Sequence, residues 1–272
     1  MAENIFVSEG IEYFSVVSFD ECRCINERLL NKLTFTPKSV IIFLLPYYTG
    51  TTENISLYAA SLDYHLIIKN ITSRIIEKLK KHYPVSAFSP FGDHSPIDER
   101  ACALRGGVGF IGDNGLLINK KYGSYVFLAD IITDVDAEEL NKLLGERSYS
   151  QPESCSHCGK CRKACPTGIL RGESADCLSA ITQRKGELAQ CEIELMRKFN
   201  TVWGCDLCQS SCPYNASPAL TPIADFYEDR ISALTPGLLA SMTDEQFGRR
   251  AFAWRGRAVV ERNLKALYGD NE

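Results

Sequence analysis

Seven cysteines in the second half of the chain form two tightly spaced blocks. The blocks are Cys155-x2-Cys158-x2-Cys161-x3-Cys165-Pro166 and Cys205-x2-Cys208-x3-Cys212-Pro213. Short Cys-x-x-Cys loops direct successive thiolates at one metal centre, and the cysteine before proline ligates the other cluster in two-cluster ferredoxins. The spacing therefore predicts two 4Fe–4S clusters that the two blocks ligate crosswise.

Two such clusters need eight thiolates, four each, and the blocks contain seven. The chain has 12 cysteines in all, so the eighth ligand has to be one of the other five, which are Cys22, Cys24, Cys102, Cys177 and Cys191. Cys177 and Cys191 lie between the blocks and are the natural candidates. Crosswise ligation predicts one cluster on Cys155, Cys158, Cys161 and Cys212, and another on Cys165, Cys205, Cys208 and one of the intervening pair.

Zinc sites and disulfide bonds are the alternatives for these cysteines. Zinc usually takes two separated Cys-x2-Cys pairs per ion, whereas this chain has three evenly spaced cysteines and a fourth before proline. Disulfides are not expected, because no basic stretch followed by an apolar run opens the sequence as an export signal would. We therefore expect a cytoplasmic redox protein.

The composition is that of a globular protein with no membrane segment. Of its 272 residues, 45% are hydrophobic and 24% are charged, which is ordinary for soluble domains. The longest apolar run, residues 40–45, is far too short to span a bilayer and is typical of a buried strand. The net charge of −4 does not favour a broad nucleic-acid-binding surface, although it leaves room for a local basic patch.

Hydrophobic periodicity predicts an α+β fold in three parts. Predicted strands cover residues 39–45 and 85–89, and residues 116–119 and 124–133 form a predicted β-hairpin around 120–123. Predicted helices cover 55–82, 95–105 and 136–144, with closing helices near 236–251 and 255–268. We expect a mixed α/β catalytic domain over 1–148, a ferredoxin-like two-cluster module over 149–216 and a C-terminal helical segment over 217–272.

A glycine-rich segment has the pattern of a dinucleotide-binding loop. Gly107-x-Gly109-x-x-Gly112 follows a predicted helix and precedes a predicted hairpin. A dinucleotide loop needs a strand before it and a helix after it. We therefore reject a nucleotide-binding role for this segment.

Short motifs between about residues 37 and 215 resemble, in order and in register, the epoxyqueuosine reductases. These are cobalamin-dependent iron–sulfur enzymes of tRNA queuosine synthesis. The motifs are Ser39-Val-Ile-Ile, Tyr58 with Asp63-Tyr64-His65, Asp93-His-Ser-Pro96 leading into Glu99-Arg100-Ala101, Gly107-Val-Gly-Phe-Ile-Gly112-x-Asn114, Tyr122-Gly123-Ser124, Cys177-Leu-Ser-Ala-Ile-Thr182 and Gly204-Cys-Asp-Leu-Cys-Gln209.

The resemblance implies a monomeric oxidoreductase that contains two 4Fe–4S clusters and cobalamin and reduces epoxyqueuosine in tRNA. An external donor such as flavodoxin or ferredoxin would supply the electrons. The resemblance also implies that Cys177 is the eighth ligand and that Cys191 is a free thiol. The expected cobalamin contacts are Gly107, Gly109, Gly112, Asn114, Ser179, Thr182 and Asp206, with the glycines letting the backbone approach the corrin closely.

The resemblance further implies that Asp93 is the general acid. Reduction of an epoxide to an alkene consumes two electrons and releases water, so a proton has to reach the departing oxygen. A carboxyl group can supply it if burial keeps that group protonated near neutrality. From the residues alone, Asp93 would be a turn residue shortly before Ser95-Pro96. We assign no metal role to His65, because a histidine among apolar helix neighbours is usually structural.

Two departures from the family pattern keep other functions open. The chain ends at Glu272, whereas full-length members continue into helical repeats that help hold tRNA, so a short form is expected. It also has Asp113 where many members have lysine. One alternative is an electron-transfer partner that reduces the corrinoid of another protein. The other is a reductase of a small molecule, related to the reductive dehalogenases.

Overall fold

The computed structural model describes residues 5–150, 154–173 and 176–269. The strands of this part are β1 (Phe14–Ser18), β2 (Ser39–Pro46), β3 (Phe88–Gly92), β4 (Phe110–Ile111), β5 (Leu117–Ile118) and β6 (Val126–Thr133). Four of them form one antiparallel sheet in the order β1-β2-β6-β3, and β4 pairs with β5 separately. Helices pack around this sheet, so the predicted α+β class is confirmed.

The helices of the described residues are mostly short. They are α1 (Glu27–Leu30), α2 (Tyr64–Lys80), α3 (Glu99–Arg105), α4 (Ala137–Leu144), α5 (Lys160–Ala164), α6 (Leu178–Gln183), α7 (Gln190–Lys198), α8 (Leu207–Ser210), α9 (Pro236–Ser241), α10 (Asp244–Gly248) and α11 (Arg257–Tyr268). Single 3-10 turns lie between several of them. Within these ranges no helix combines the length and the apolar character needed to cross a membrane.

The central sheet is covered on both faces. Every residue of β2 is buried, and successive side chains of a strand point to opposite faces. Ile41, Phe43 and Leu45 therefore pack in the core that contains α2, whereas Ile42 and its even-numbered neighbours pack in the core that contains α3. Asp130 of β6 pairs with Ile42, so this acidic side chain lies on the α3 face of the sheet.

The predicted hairpin around residues 120–123 was wrong. β5 pairs with β4, whereas β6 is a central strand between β2 and β3. An isolated bridge between Asn119 and Gly123 closes the turn, and it does not pair residues 116–119 with 124–133. The Asn119 side chain binds the Val108 carbonyl and the backbone N–H of Lys121. These bonds close the turn locally and leave β6 free to enter the sheet.

Other predicted elements were found with shifted boundaries. The long helix begins at Tyr64 and not near residue 55, because Asp63 caps it by accepting the His65 N–H. The strand predicted at 85–89 lies at Phe88–Gly92, and Val85 is 96% exposed. The closing helix predicted near 236–251 is two helices, because Thr243 starts α10 with a capping box.

The segment after the cysteine module packs against the earlier part of the chain. Trp203 and Phe252 are fully buried and share a core with Ile55 and the closing helices. Phe226 belongs to the core that contains α2. The division into three domains at residues 148 and 216 stays a prediction, but the three segments clearly share apolar cores.

Candidate active site and cluster module

Eight cysteines gather in two sets of four around two neighbouring cavities. The distal cavity, as we call it, is lined by Cys155, Cys158, Cys161 and Cys212. The proximal cavity, of about 390 Å³, is lined by Cys165, Cys177, Cys205 and Cys208. These are the two sets that crosswise ligation and the family resemblance predict. Sets of four convergent cysteine thiols are the donor set that 4Fe–4S clusters require.

Left-handed backbone lets the distal loop curl around its cavity. His157 has φ 51° and Gly159 has φ 70°, conformations that a regular helix or strand does not use. The curl lets the His157 N–H approach the Cys155 Sγ at 3.4 Å. It also brings His157 Nδ1 within 2.7 Å of Asp113 Oδ1. Asp113, which stands where many family members have lysine, therefore lies beside the distal cavity.

The proximal thiols lie in a drier environment. Burial raises the pKa of Cys205 to about 11 and that of Cys208 to about 12, and neighbouring thiols add to both shifts. Cys165 differs: burial acts to raise its pKa, but hydrogen bonds from the Leu170 and Thr167 backbone outweigh burial and lower it. Iron has to displace protons from such thiols when a cluster assembles.

An open cleft of about 740 Å³ lies on the α3 face of the sheet. Val126 and Leu128 of β6 form its floor, and the segment between β3 and α3 forms one wall. Leu116 lines both this cleft and the proximal cavity, and Asn114 lines both cavities. The segment that follows the glycine-rich loop therefore borders the cleft, the distal cavity and the proximal cavity, and the proximal cavity lies next to the cleft.

Asp93 stands at the cleft in a left-handed backbone conformation, with φ 65°. The Tyr64 hydroxyl donates a 2.9 Å hydrogen bond to Asp93 Oδ2, and His65 Nε2 lies 3.5 Å from the same oxygen. Burial raises the pKa of Tyr64, and the Asp93 charge adds to the shift, so the tyrosine stays a donor. The Asp93 side chain is 61% exposed, so the burial that the sequence argument required of the general acid is absent here.

Two acidic side chains that the sequence analysis missed lie behind this loop. Glu99 lines the cleft, and burial raises its pKa to about 8, with the Asp130 charge adding to the shift. Asp130 is fully buried, and burial raises its pKa to about 7, although the Ser95 hydroxyl offsets part of the shift. A single aspartate within the apolar strand at 126–133 was the signal that could have revealed the second of them.

The glycines predicted to face a corrin have other neighbours. A Cβ on Gly109 would lie 2.6 Å from the Ile118 carbonyl oxygen, and one on Gly112 would lie 2.7 Å from the Asn114 side chain. Packing within the β4–β5 hairpin therefore accounts for both. Gly107 faces open space but is not part of the cleft wall, whereas Gly115 lines the cleft. Corrin contact by the three predicted glycines stays a prediction.

The other predicted cofactor residues lie near the proximal cavity. Asn114, Ser179 and Asp206 line it. Thr182 is fully buried and bonds within the chain, donating to the Ser179 carbonyl and accepting the Gly204 N–H. Asp206 accepts hydrogen bonds from the Ser56 hydroxyl at 2.5 Å and the Leu57 N–H at 2.6 Å. Asp206 thus connects the cysteine module to the segment after β2.

The remaining cysteines are outside both cavities. Cys102 is buried, and its Sγ lies 3.7 Å from that of the half-buried Cys22. Cys24 and Cys191 are exposed. His65 Nδ1 contacts Asp63 Oδ1 at 2.8 Å, and its side chain is 53% exposed beside Asp93, so the apolar surroundings expected for it are absent.

Comparison with known proteins identifies the family. A 4Fe–4S double cluster binding domain matches residues 154–215, and the family described as epoxyqueuosine reductase QueG, DUF1730, matches residues 29–93. The epoxyqueuosine reductase of Lactococcus garvieae (strain Lg2) is 30% identical over 274 aligned positions, covering 92% of this chain and 74% of that relative. The chain belongs to the epoxyqueuosine reductase family. The Synechocystis sp. member is 33% identical, covering 87% of this chain and 85% of its own length.

Solved structures of epoxyqueuosine reductases have the same fold. The Streptococcus thermophilus structure matches with a TM-score of 0.74 at 25% identity, covering 96% of this chain and 78% of that chain. A solved epoxyqueuosine reductase with a tRNA-Tyr epoxyqueuosine-modified tRNA stem loop matches with a TM-score of 0.73 at 21% identity. The predicted double-cluster module is thereby confirmed, and the chain is an iron–sulfur oxidoreductase of this family.

Proposed function

We propose that this chain reduces epoxyqueuosine in tRNA to queuosine, in the cytoplasm. The observation that carries the proposal is the shared wall at Leu116, which joins the cleft holding Asp93 to the cavity lined by Cys165, Cys177, Cys205 and Cys208. The reaction takes up two electrons and two protons, converts the epoxide to an alkene and releases water. A site for it needs an electron supply and a proton donor at one place, and the proximity of Asp93 to the proximal cysteine set supports that assignment.

The two cysteine sets define a route for electrons. An external donor such as ferredoxin or flavodoxin would reduce the distal cluster, because Cys158 of that set is exposed. The proximal cluster, beside Leu116, would deliver the electrons to the cleft. Cobalamin bound in the cleft would supply a strongly reducing cobalt centre that accepts them one at a time. The open cleft suits a large planar cofactor, because its floor is apolar and Gly115 adds no side chain.

Asp93 would give a proton to the epoxide oxygen as the carbon–oxygen bond breaks. Its carboxyl group lies at the cleft, and Tyr64 and His65 fix the position of one of its oxygens. Tyr64 is itself held by stacking on Phe127, with 4.3 Å between ring centroids. This support keeps the acid in place while substrate and cofactor cover it and exclude water.

The cleft rim has the chemistry of a nucleic-acid contact. Arg23, His94 and Arg100 line it, and the Arg23 side chain is 77% exposed. Guanidinium groups bind phosphates well, and a local basic rim is compatible with the net charge of −4. The solved relative with a bound tRNA stem loop supports this part of the proposal.

Complementation tests the proposal in vivo. In a strain that lacks its own epoxyqueuosine reductase, the wild-type chain should convert tRNA epoxyqueuosine to queuosine, measured by mass spectrometry of nucleosides. Asp93→Asn should abolish conversion while both clusters still assemble. The matched control is Asp98→Asn on the same rim, which keeps the α3 cap because asparagine also accepts the Ala101 N–H.

Two outcomes would contradict the proposal. No conversion by an expressed, cluster-loaded wild-type chain would exclude the tRNA substrate. Full conversion by Asp93→Asn would remove Asp93 from the mechanism and would favour an electron-transfer partner, in which that carboxyl group is dispensable.

A further inference from the structure

Two buried carboxyl groups lie behind the Asp93 loop without a counter-ion. Glu99 is the first residue of α3, and its Oε1 is buried without a hydrogen-bond partner. Asp130 is 0% exposed, and the Ser95 hydroxyl offsets only part of the effect of burial on it. No cationic side chain of the described ranges forms an ion pair with either group. Desolvation therefore outweighs these contacts and disfavours the charged form of both carboxyl groups.

This environment keeps a proton on the pair. Burial raises the pKa of Glu99 to about 8 and that of Asp130 to about 7, and the Asp130 charge adds to the shift of Glu99. Besides the Ser95 hydroxyl on Asp130, acidic and thiol groups act on the two carboxyl groups within the described ranges. Asp93 and Asp98 act on Glu99, and Cys22 and Cys102 face Asp130. Near neutrality, Glu99 is therefore mostly protonated.

The pair contacts the catalytic loop directly. The Asp93 main-chain N–H donates a hydrogen bond to the Glu99 carboxyl group. The Asp93 side chain itself is exposed, and Tyr64 and His65 contact its carboxyl group. Glu99 thus combines three properties: it lines the cleft, it touches the loop of the general acid, and it is desolvated.

We propose that Glu99 acts through Asp93, as a positioning residue that fixes its loop and returns a proton to it after each turnover. This inference rests on the proposed function. Asp93 loses one proton to the epoxide oxygen as the carbon–oxygen bond breaks and becomes a carboxylate. Glu99 then transfers its proton to that carboxylate, and the Glu99–Asp130 pair recovers one from solvent through the cleft. A second proton, taken from solvent by the departing oxygen as it leaves as water, and two electrons complete the conversion of epoxide to alkene and water.

Infrared difference spectroscopy tests the proton store without any turnover. The cluster-loaded, substrate-free wild-type protein should show the C=O band of a protonated carboxyl group at pH 7, and the band should disappear as the pH rises past about 8. Asp130 also contributes to such a band near neutrality, so the comparison is made in an Asp130→Asn background, where the remaining band should disappear when Glu99→Gln is added. A wild-type spectrum with no such band, or a band that survives in the double variant, would overturn the proposal.

Turnover measurements on Glu99→Gln distinguish the positioning of the Asp93 loop by Glu99 from the return of a proton by Glu99. Glutamine keeps a carbonyl oxygen for the Asp93 N–H, so the loop stays in place in Glu99→Gln. With excess reductant, its first turnover should match the wild type, whereas later turnovers should be slower by about 100-fold, the lower range for general acid–base effects. KM should not change. Equal rates for later turnovers in the two proteins would refute proton return by Glu99.

The pH profile tests the role of Asp130. The wild-type rate should fall above about pH 8 as Glu99 ionises. Asp130→Asn removes a negative charge that raises the pKa of Glu99, so the fall should move to lower pH. If folded, cluster-loaded Asp130→Asn had the same pH–rate profile as the wild type, Asp130 would have no effect on the ionisation of Glu99. A wild-type protein that shows the infrared band but reduces no epoxyqueuosine would contradict the proposed function and, with it, the action through Asp93.

Discussion

Replacement of Asp206 should loosen the connection between the cluster module and the catalytic half of the chain. Asp206 is half-buried, and it accepts the Ser56 hydroxyl and the Leu57 N–H across that connection. Asp206→Ala leaves both donors without an acceptor. Hydrogen bonds to a charged group contribute about 1.5–3 kcal/mol each, so the two together amount to about 3–6 kcal/mol.

Part of this stabilisation is already offset in the native protein. Burial raises the pKa of Asp206, which means that the buried carboxylate carries a desolvation cost that alanine removes. We therefore expect a net loss of about 3 kcal/mol. Because 1.4 kcal/mol corresponds to about tenfold in an equilibrium constant, the local opening that exposes the Leu57 amide should become about 100-fold more frequent.

Hydrogen exchange followed by mass spectrometry measures this opening in the cluster-loaded protein. Peptides that contain Leu57 should exchange about 100-fold faster in Asp206→Ala, whereas peptides around the fully buried Ile71 of α2 should not change. Asp176→Ala is the control within the module, because Asp176 is exposed and its ion pair with Arg184 contributes little. Unchanged exchange at Leu57 in Asp206→Ala would refute the reasoning.

Three further substitutions have expected outcomes. Cys177→Ala should remove the proximal cluster and lower the iron content from about eight to about four per chain. The control Cys191→Ala should keep all the iron, and iron analysis after anaerobic reconstitution measures both contents. Tyr64→Phe removes the donor to the general acid and should lower kcat about tenfold with KM unchanged, since one hydrogen bond to a charged group is lost; an unchanged kcat would exclude this contact. Arg23→Glu should weaken binding of a tRNA stem loop and reduce its salt dependence, unlike Lys142→Glu away from the cleft; equal binding by the two variants would remove the rim from the interface.

Local chemistry made the cysteine module predictable. Each Cys-x2-Cys spacing restricts where the thiols can point, so the two sets of four followed from the sequence once the family resemblance had added Cys177. The strand at Ser39–Pro46 and the helix at Tyr64–Lys80 also followed, because their apolar residues repeat with the period of the element.

Long-range pairing was not predictable from local pattern. Nothing near residues 116–133 indicates that Val126–Thr133 pairs with the two distant strands Ser39–Pro46 and Phe88–Gly92. The same limit hid the raised pKa of Glu99, because it comes from burial and from the charge of Asp130, 31 positions away in the sequence. Asp93 was found through a family motif, but its exposure depends on how its loop leaves the sheet.

The most direct test of the central claim is anaerobic turnover by the purified chain. Protein reconstituted with iron and sulfide, loaded with cobalamin and reduced chemically, would be incubated with an epoxyqueuosine-containing tRNA stem loop, and the nucleosides would be analysed by mass spectrometry. The account predicts that queuosine forms only when both the clusters and cobalamin are present. No queuosine from protein that contains about eight irons per chain and bound cobalamin would contradict it, as would full activity without cobalamin.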